Sequence, residues 1–454
     1  MAEPLPPFRI LAPTAILGYG FPVDSFMEGL RREPDLIAVD AGSTDPGPYY
    51  LGAGTSFTDE RAVHRDLHHI LREAVPRGIP VVIGSAGGSG AAPHLKWCGR
   101  IVRQVAKENN LSFLLGEIAA DLPEQFVLDA LRKGRASPLS GAPELTEQSV
   151  KETTHIVAQM GTSPIIDAHR KDCDVILAGR AYDPAPFAAL PILRGYPPGL
   201  ALHLGKILEC GAIAANPGSG SDCAMGVLEE NRFTLVSLSD ERTFTRQSVA
   251  AHSLYEKADP YHLHGPGGHL DLENTVFEEM DAAGTRVRGT RFVECSPFAI
   301  KVEGARKVGY RTIAIAGIRD PGLIHQVNSV LDEVHNRVKR SARSEGIGGE
   351  LNFHIYGKNG VMGELEPEVD NVGHELGLVI ESVAEREEDA HSLCSITRST
   401  LLHYGYTDRI ATAGNLALPF SPSEIDAGEV YEFSIYHLIE CAEQDLFQTR
   451  VIEI

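Results

Sequence analysis

The chain has 454 residues, 43% of them hydrophobic, which is enough to bury cores in two or three domains of the usual size. Its 62 acidic and 41 basic residues give a formal net charge of −21, which repels a phosphate backbone and excludes nucleic acid as an expected partner. The densest basic run, Arg337-Val338-Lys339-Arg340, reads as a solvated helix face. Seven cysteines without a C-x-x-C pair signal neither a disulfide framework nor a zinc or iron–sulfur site. The opening MAEPLPPFRILAP lacks a basic stretch followed by a long apolar one, and no run reaches the roughly 18 apolar residues of a membrane span. A cytoplasmic protein with no membrane or metal partner is therefore expected.

Phe8 to Leu17 is the first candidate strand and runs into the short glycine loop Gly18-Tyr19-Gly20-Phe21. The apolar run Leu36-Ile37-Ala38-Val39 forms the second, and it leads directly into DAGSTDPGPYYLGAG, from Asp40 to Gly54. Open α/β sheets bind ligands beyond the carboxyl ends of their strands, so Asp40, Ser43, Thr44 and Asp45 are candidate site residues. A glycine-rich turn with Asp caps is the plainer reading. Helical spacing from Asp59 to Val75 precedes a third strand, Pro80 to Gly84. The loop Gly84-Ser85-Ala86-Gly87-Gly88-Ser89-Gly90 then precedes a helix from Ala91 to Asn109. That loop fits neither the dinucleotide fingerprint nor a P-loop. Gly87, Gly88, Ser89 and Gly90 read either as an anion cradle at a helix N-terminus or as a tight turn for close packing.

A fourth strand, Leu111 to Glu117, and a helix, Pro123 to Lys133, lead on to a fifth strand, Asp174 to Gly179. Glu117 and Asp183 thus join Asp40 and Asp45 as strand-end carboxylates suited to general acid–base work. Arg180 can clamp a substrate carboxylate or pair with Asp183 or Asp40, and Tyr182 is an alternative acid. Lys206 and Glu209 share one helix face. They stand either as a surface pair or as tuned site groups beside the loop Asn216 to Asp222, where Asn216 and Ser219 present polar groups. The segment Tyr255 to Asp271 holds His262, His264 and His269; His264 reads as substrate-facing, with metal binding the sharper but less favoured alternative.

This alternation predicts an α/β fold with a doubly wound, mostly parallel, Rossmann-like sheet over residues 1–284. Arg232 to Ser237 is a further expected strand and Thr245 to Ala258 a helix. A smaller α+β domain is expected over 285–427. It would contain strands from Arg291 to Val302 and Tyr310 to Ala316 around a Gly309 turn, a helix from Pro321 to Arg340, strands Leu351 to Tyr356 and Leu376 to Ala384, and a helix from Arg386 to His403. Residues 428–454, with the acidic stretch Glu440 to Asp445, are expected to pack as a tail on the body or on a partner.

GYGFPVDSF, PDLIAVDAGSTDPGPYYLGAG, GSAGGSGAAPH, AGRAYDPAPFA and YEKADPYHLHGPGGHLDL together resemble the acyclic terpene utilisation family, AtuA, from Ile10 to about Ile410. Many relatives carry a small C-terminal α/β domain or are accompanied by a small protein resembling it, and this chain is expected to lack that domain. Ala92 stands where many relatives have an acidic residue. The resemblance implies an association with branched acyclic terpene and organic-acid catabolism. Joined to the residue reading, it suggests a hydratase or dehydratase acting on a hydroxy or unsaturated carboxylate or its CoA thioester, without a cofactor and as a homo-oligomer. In that scheme the glycine loop and Arg180 hold the substrate, and Asp45, Glu117 or Asp183 removes the α-proton. Asp40 and Ser43 orient the leaving hydroxyl. The alternative is a non-catalytic ligand-binding or scaffold subunit that works only with a small α/β partner. Nicotinamide chemistry and phosphoryl transfer are disfavoured by the failed glycine fingerprints.

Overall fold

Short apolar runs make the first strands: β1 Phe8–Ala12, β2 Leu36–Asp40, β3 Val81–Gly84 and β4 Leu114–Ile118, followed by β5 Ala136–Pro138, β6 Thr153–Ala158 and β7 Val175–Ala178. The computed structural model describes residues 5–255, 259–280, 284–410, 412–442 and 446–454. Strands β1, β2, β3, β7 and β4 lie side by side in that order, all parallel. Every residue of β2, β3 and β7 is buried, as the unbroken apolar runs require of strands covered on both faces. The covering helices start where the sequence signals them: Asp59 caps Glu60–Ala74 by accepting from the backbone N–H groups of Arg61 and Ala62. Ala92–Asn109 and Glu124–Arg132 follow, with Val102 and Val127 among their buried residues.

The sheet is larger and more mixed than a doubly wound parallel fold. Later strands are β8 Ala224–Glu229, β9 Arg232–Ser237, β10 His262–Gly265, β11 Gly268–Asp271, β12 Val276–Met280, β13 Gly284–Arg288 and β14 Arg291–Glu294. The last are β15 Ala299–Ile318, β16 Glu350–Tyr356, β17 Leu376–Ala384, β18 Glu424–Glu440 and β19 Thr449–Glu453. The complete order is β12-β13-β9-β8-β1-β2-β3-β7-β4-β19, with antiparallel pairing on both flanks of the parallel centre. The physical reason is connection length: only Glu230 and Asn231 separate β8 from β9, and so short a link can join antiparallel neighbours but not parallel ones.

Two units are distinct: Met1–Arg306 with Phe433–Ile454, and Lys307–Glu432. The division expected at 284/285 therefore falls at Arg306/Lys307. The residues after Phe433 belong to the first unit, where β19 pairs with β4 and the end of β18 pairs with β5. Of the acidic stretch Glu440 to Asp445, residues 443–445 lie outside the described residues, as do residues 256–258 at the end of the expected helix, observed as Arg246–Ser253. In the second unit β17 lies between β16 and β15, and the helices Val327–Ser344 and Glu387–Leu402 bury Val334, Val338 and Leu393 in its core.

The Gly309 turn is absent, because Ala299–Ile318 is one continuous strand. A Cβ on Gly309 would meet the Ala384 carbonyl oxygen at 2.3 Å, and its φ is +152°, so this glycine permits close backbone approach within the ladder. Gly309→Ala is expected to destabilise the protein by about 1–3 kcal/mol, read as a lower urea midpoint.

Candidate active site

Asp40 ends β2 and is buried. Its Oδ2 accepts from the Gly42 N–H at 3.3 Å, while Oδ1 is buried with no hydrogen-bond partner. Burial above all, and then the carboxylates of Asp183 and Glu209, drive its pKa well above the ordinary value, against the smaller pull of Arg180 and the Gly42 N–H. Both causes favour the protonated form of this carboxyl at the carboxyl end of a central strand.

Arg180 lies beyond the end of β7 and is 2% exposed. Its Nε donates to Glu303 Oε2 at 2.8 Å, and its Nη1 to Asp183 Oδ1 at 3.1 Å, the Ala181 carbonyl at 2.9 Å and Ser85 Oγ at 3.2 Å. Ser85 itself sits at φ +46°, an uncommon conformation for a residue with a side chain, sustained by this network. Glu303, on β15, is fully buried and accepts from Thr44 Oγ1 at 2.7 Å and from Lys301 Nζ at 2.8 Å. Burial raises its pKa, but Arg180 and Lys301 more than reverse that and hold it at about 2. Lys206 and Glu209 form a second buried ion pair. Burial pulls the Lys206 pKa down, the Glu209 carboxylate reverses the effect, and the net shift is upward. Tyr182 is buried close enough to Glu209 and Asp183 that desolvation and then those charges push its hydroxyl upward.

Asp40, Thr44, Arg180, Tyr182, Asp183, Lys206 and Glu209 therefore belong to one electrostatically connected cluster, joined by Glu303, Lys301 and Ser85, which the sequence reading left out. The missed signal is modest: in AIKVEGA, Lys301 and Glu303 stand two apart, on one face of a strand otherwise made of apolar and small residues. Arg180 is committed to Glu303 and Asp183, so the ion-pair reading describes it and the substrate clamp does not.

The glycine loop is likewise closed by the protein. Gly87, Gly88, Ser89 and Gly90 are all buried; Cβ atoms would strike His94 at Gly87, Phe57 at Gly88 and the Arg180 backbone at Gly90, so close packing explains the glycines. The N-terminus of the following helix is already served by Asp121 Oδ1, 3.0 Å from the Ala92 N–H. The first glycine loop is filled in the same way: Asp66 Oδ2 accepts from Gly18 at 2.8 Å and Gly20 at 3.0 Å. Asp66→Ala, which leaves both N–H groups unpaired, is expected to cost about 1–3 kcal/mol in urea unfolding.

The remaining candidates stand apart. Asp45 is exposed and bonded to Ser43 Oγ at 2.7 Å, near enough to Arg180 to feel its charge. Glu117 pairs with Arg103 on the Ala92–Asn109 helix at 2.6 Å, because its β-strand position aims it at that helix and away from Asp40. Asn216 is exposed, its backbone bridged to Thr243, and Ser219 Oγ accepts from Ser221 N–H at 3.2 Å within its own loop. His264 pairs with His269 across β10 and β11, ring centroids 5.4 Å apart. Among the described residues no group of three or more His, Cys, Asp or Glu is placed to hold a metal ion, and no helix is long and apolar enough to cross a membrane.

A buried carboxyl with a raised pKa, ion-paired carboxylates and buried cations thus gather beyond the ends of parallel strands of an α/β protein. The chain belongs to the acyclic terpene utilisation family, AtuA, whose model matches residues 57–221 and 237–411. Asp40 and Thr44 precede the matched residues, whereas Arg180, Asp183, Lys206, Glu209 and Glu303 lie within them. No curated protein and no solved structure matched this chain.

Proposed function

We propose that this protein is a hydro-lyase, interconverting a hydroxy acid and its unsaturated counterpart, free or as a CoA thioester, in the catabolism of branched acyclic carbon chains. The observation that carries the reading is the buried Asp40 carboxyl, its Oδ1 without a hydrogen-bond partner, in a cluster with the Arg180-bound Asp183 carboxylate. A buried carboxyl whose surroundings favour its protonated form, set in one cluster with a carboxylate ion-paired to Arg180, suits the two roles that dehydration needs.

Asp183 is partly exposed, with 27% of its side-chain surface accessible, and takes the α-proton of the hydroxy acid. The electron pair of that C–H bond becomes the new double bond, and the C–O bond to the β-hydroxyl breaks. Asp40 gives its proton to the departing hydroxyl, which leaves as water. Lys206 and Arg180 supply fixed positive charge against the enolate that develops between these events. Reversal returns a proton from water to Asp40 and the α-proton from Asp183 to carbon.

The test is hydration of 2-enoic acids and their CoA thioesters by the purified chain, followed by loss of the conjugated chromophore. Turnover with one class is expected, with Asp183→Asn about 10²–10⁴-fold slower while its melting curve still shows a folded protein. Absence of turnover with both classes, or full activity in Asp183→Asn, overturns the assignment.

A further inference from the structure

A cavity of about 400 Å³ lies in the first unit, away from the glycine loops, with Pro266, Pro297, Ala299 and Leu438 among its lining residues. Its size is that of small-molecule pockets, and its lining is mostly apolar. Three polar side chains, His264, Lys301 and Gln159, interrupt the apolar lining. Lys301 keeps one hydrogen bond to Glu303 at 2.8 Å and lies 4.5 Å from the Tyr436 ring, leaving further N–H capacity toward the cavity. Gln159 is 8% exposed, lines the same space, and its side-chain amide makes no hydrogen bond among the described residues. That amide therefore keeps hydrogen-bonding capacity for a ligand in the cavity.

The cavity is joined to the candidate active site by two routes. Lys301 shares Glu303 with Arg180, and Gly265, at the cavity lining, packs so closely on Tyr182 that a Cβ there would lie 2.7 Å from the ring. Tyr182 in turn feels the charges of Glu209 and Asp183.

We infer that this cavity is the seat for the apolar chain of an acyl ligand whose carbonyl or carboxylate oxygens are received by Lys301 and Gln159. At about 30 Å³ per non-hydrogen atom the space holds about a dozen such atoms, the size of a medium-length acyl group and too small for the nucleotide part of a thioester. The inference deepens the proposed hydro-lyase reading by naming the chain it accepts, but its test is an equilibrium measurement that needs no turnover, so either can fail alone.

The experiment measures binding of octanoate, octanoyl-CoA and acetate to the full chain by calorimetry, with mass-spectrometric mapping of maleimide labelling at Cys295, an exposed cysteine that lines the cavity. Octanoate or its thioester is expected to bind and to slow labelling of Cys295, while acetate does neither. Binding by octanoate itself identifies a free acid as sufficient; binding by the thioester alone identifies the CoA form. Ala299→Leu, which fills the space, is expected to abolish binding, and Gln159→Leu to weaken it by about tenfold, the effect of one lost hydrogen bond to a charged group. Both variants leave the Glu303 ion pairs intact, and their melting curves establish folding. Absence of binding by both octanoyl ligands, equal binding of acetate, or undiminished binding in Ala299→Leu overturns the inference.

Discussion

Asp40→Asn is expected to lose about 10²–10⁴-fold in turnover of the enoyl substrate while melting no lower than the parent protein at neutral pH. The two halves of this result come from one cause. The folded-state pKa of Asp40 is raised above its ordinary 3.8, so the group contributes stability that is fully present below that value and is lost as pH rises through the folded pKa. At neutral pH, below the folded pKa that the account requires, the parent has given up part of that contribution. The Asn variant never ionises and keeps an oxygen for the Gly42 N–H. Its advantage is therefore expected to shrink as the pH falls toward 3.8. Melting curves across that range, set beside initial rates, check both halves. A variant that melts well below the parent at neutral pH would show that Asp40 is held there as a structural anion.

Glu303→Gln has the largest expected effect on stability, a loss of about 3–5 kcal/mol in urea unfolding, because Arg180 and Lys301 then keep buried charge without their carboxylate. The pH dependence separates this from a loss of packing. Glu303 has a depressed pKa, about 2 against an ordinary 4.5, so its contribution is present above 4.5 and is lost as pH falls through about 2. The gap between parent and variant is accordingly expected to close on the acid side of that window. A gap of constant size down to low pH would assign the effect to shape.

Much of the parallel centre was legible because its code is local. Leu36–Asp40 are the bounds observed for β2, and Asp59 announced its helix as a cap; in the second unit Leu376–Ala384 are likewise the observed bounds of β17. Among the flanking antiparallel strands β9, Arg232–Ser237, was read with its observed bounds, but others were not legible in this way. β12 mixes Glu278 and Glu279 with Val276 and Phe277, and β18 carries Glu429, Glu432 and Glu440, so neither presents an apolar run. Half-exposed strands take their stability from neighbours that a single sequence does not display. The site divides along the same line. Asp40, Arg180, Asp183 and the Lys206–Glu209 pair were visible as charged groups at strand ends or on an apolar helix. Glu303 was not, since its role depends on Arg180, 123 residues earlier in the chain. The glycine loops misled for a related reason: a cradle for an anion and a cradle for the protein's own Asp66 and Asp121 have the same composition.

The central claim is that Asp40 is a neutral carboxylic acid at neutral pH, and infrared difference spectroscopy of the parent against Asp40→Asn tests it without any substrate. A protonated-carboxyl C=O band at neutral pH that is missing from Asp40→Asn is the predicted result, and its loss as the pH is raised further would locate the folded pKa. A neutral-pH spectrum in which the substitution removes only ionised-carboxylate bands would contradict the account.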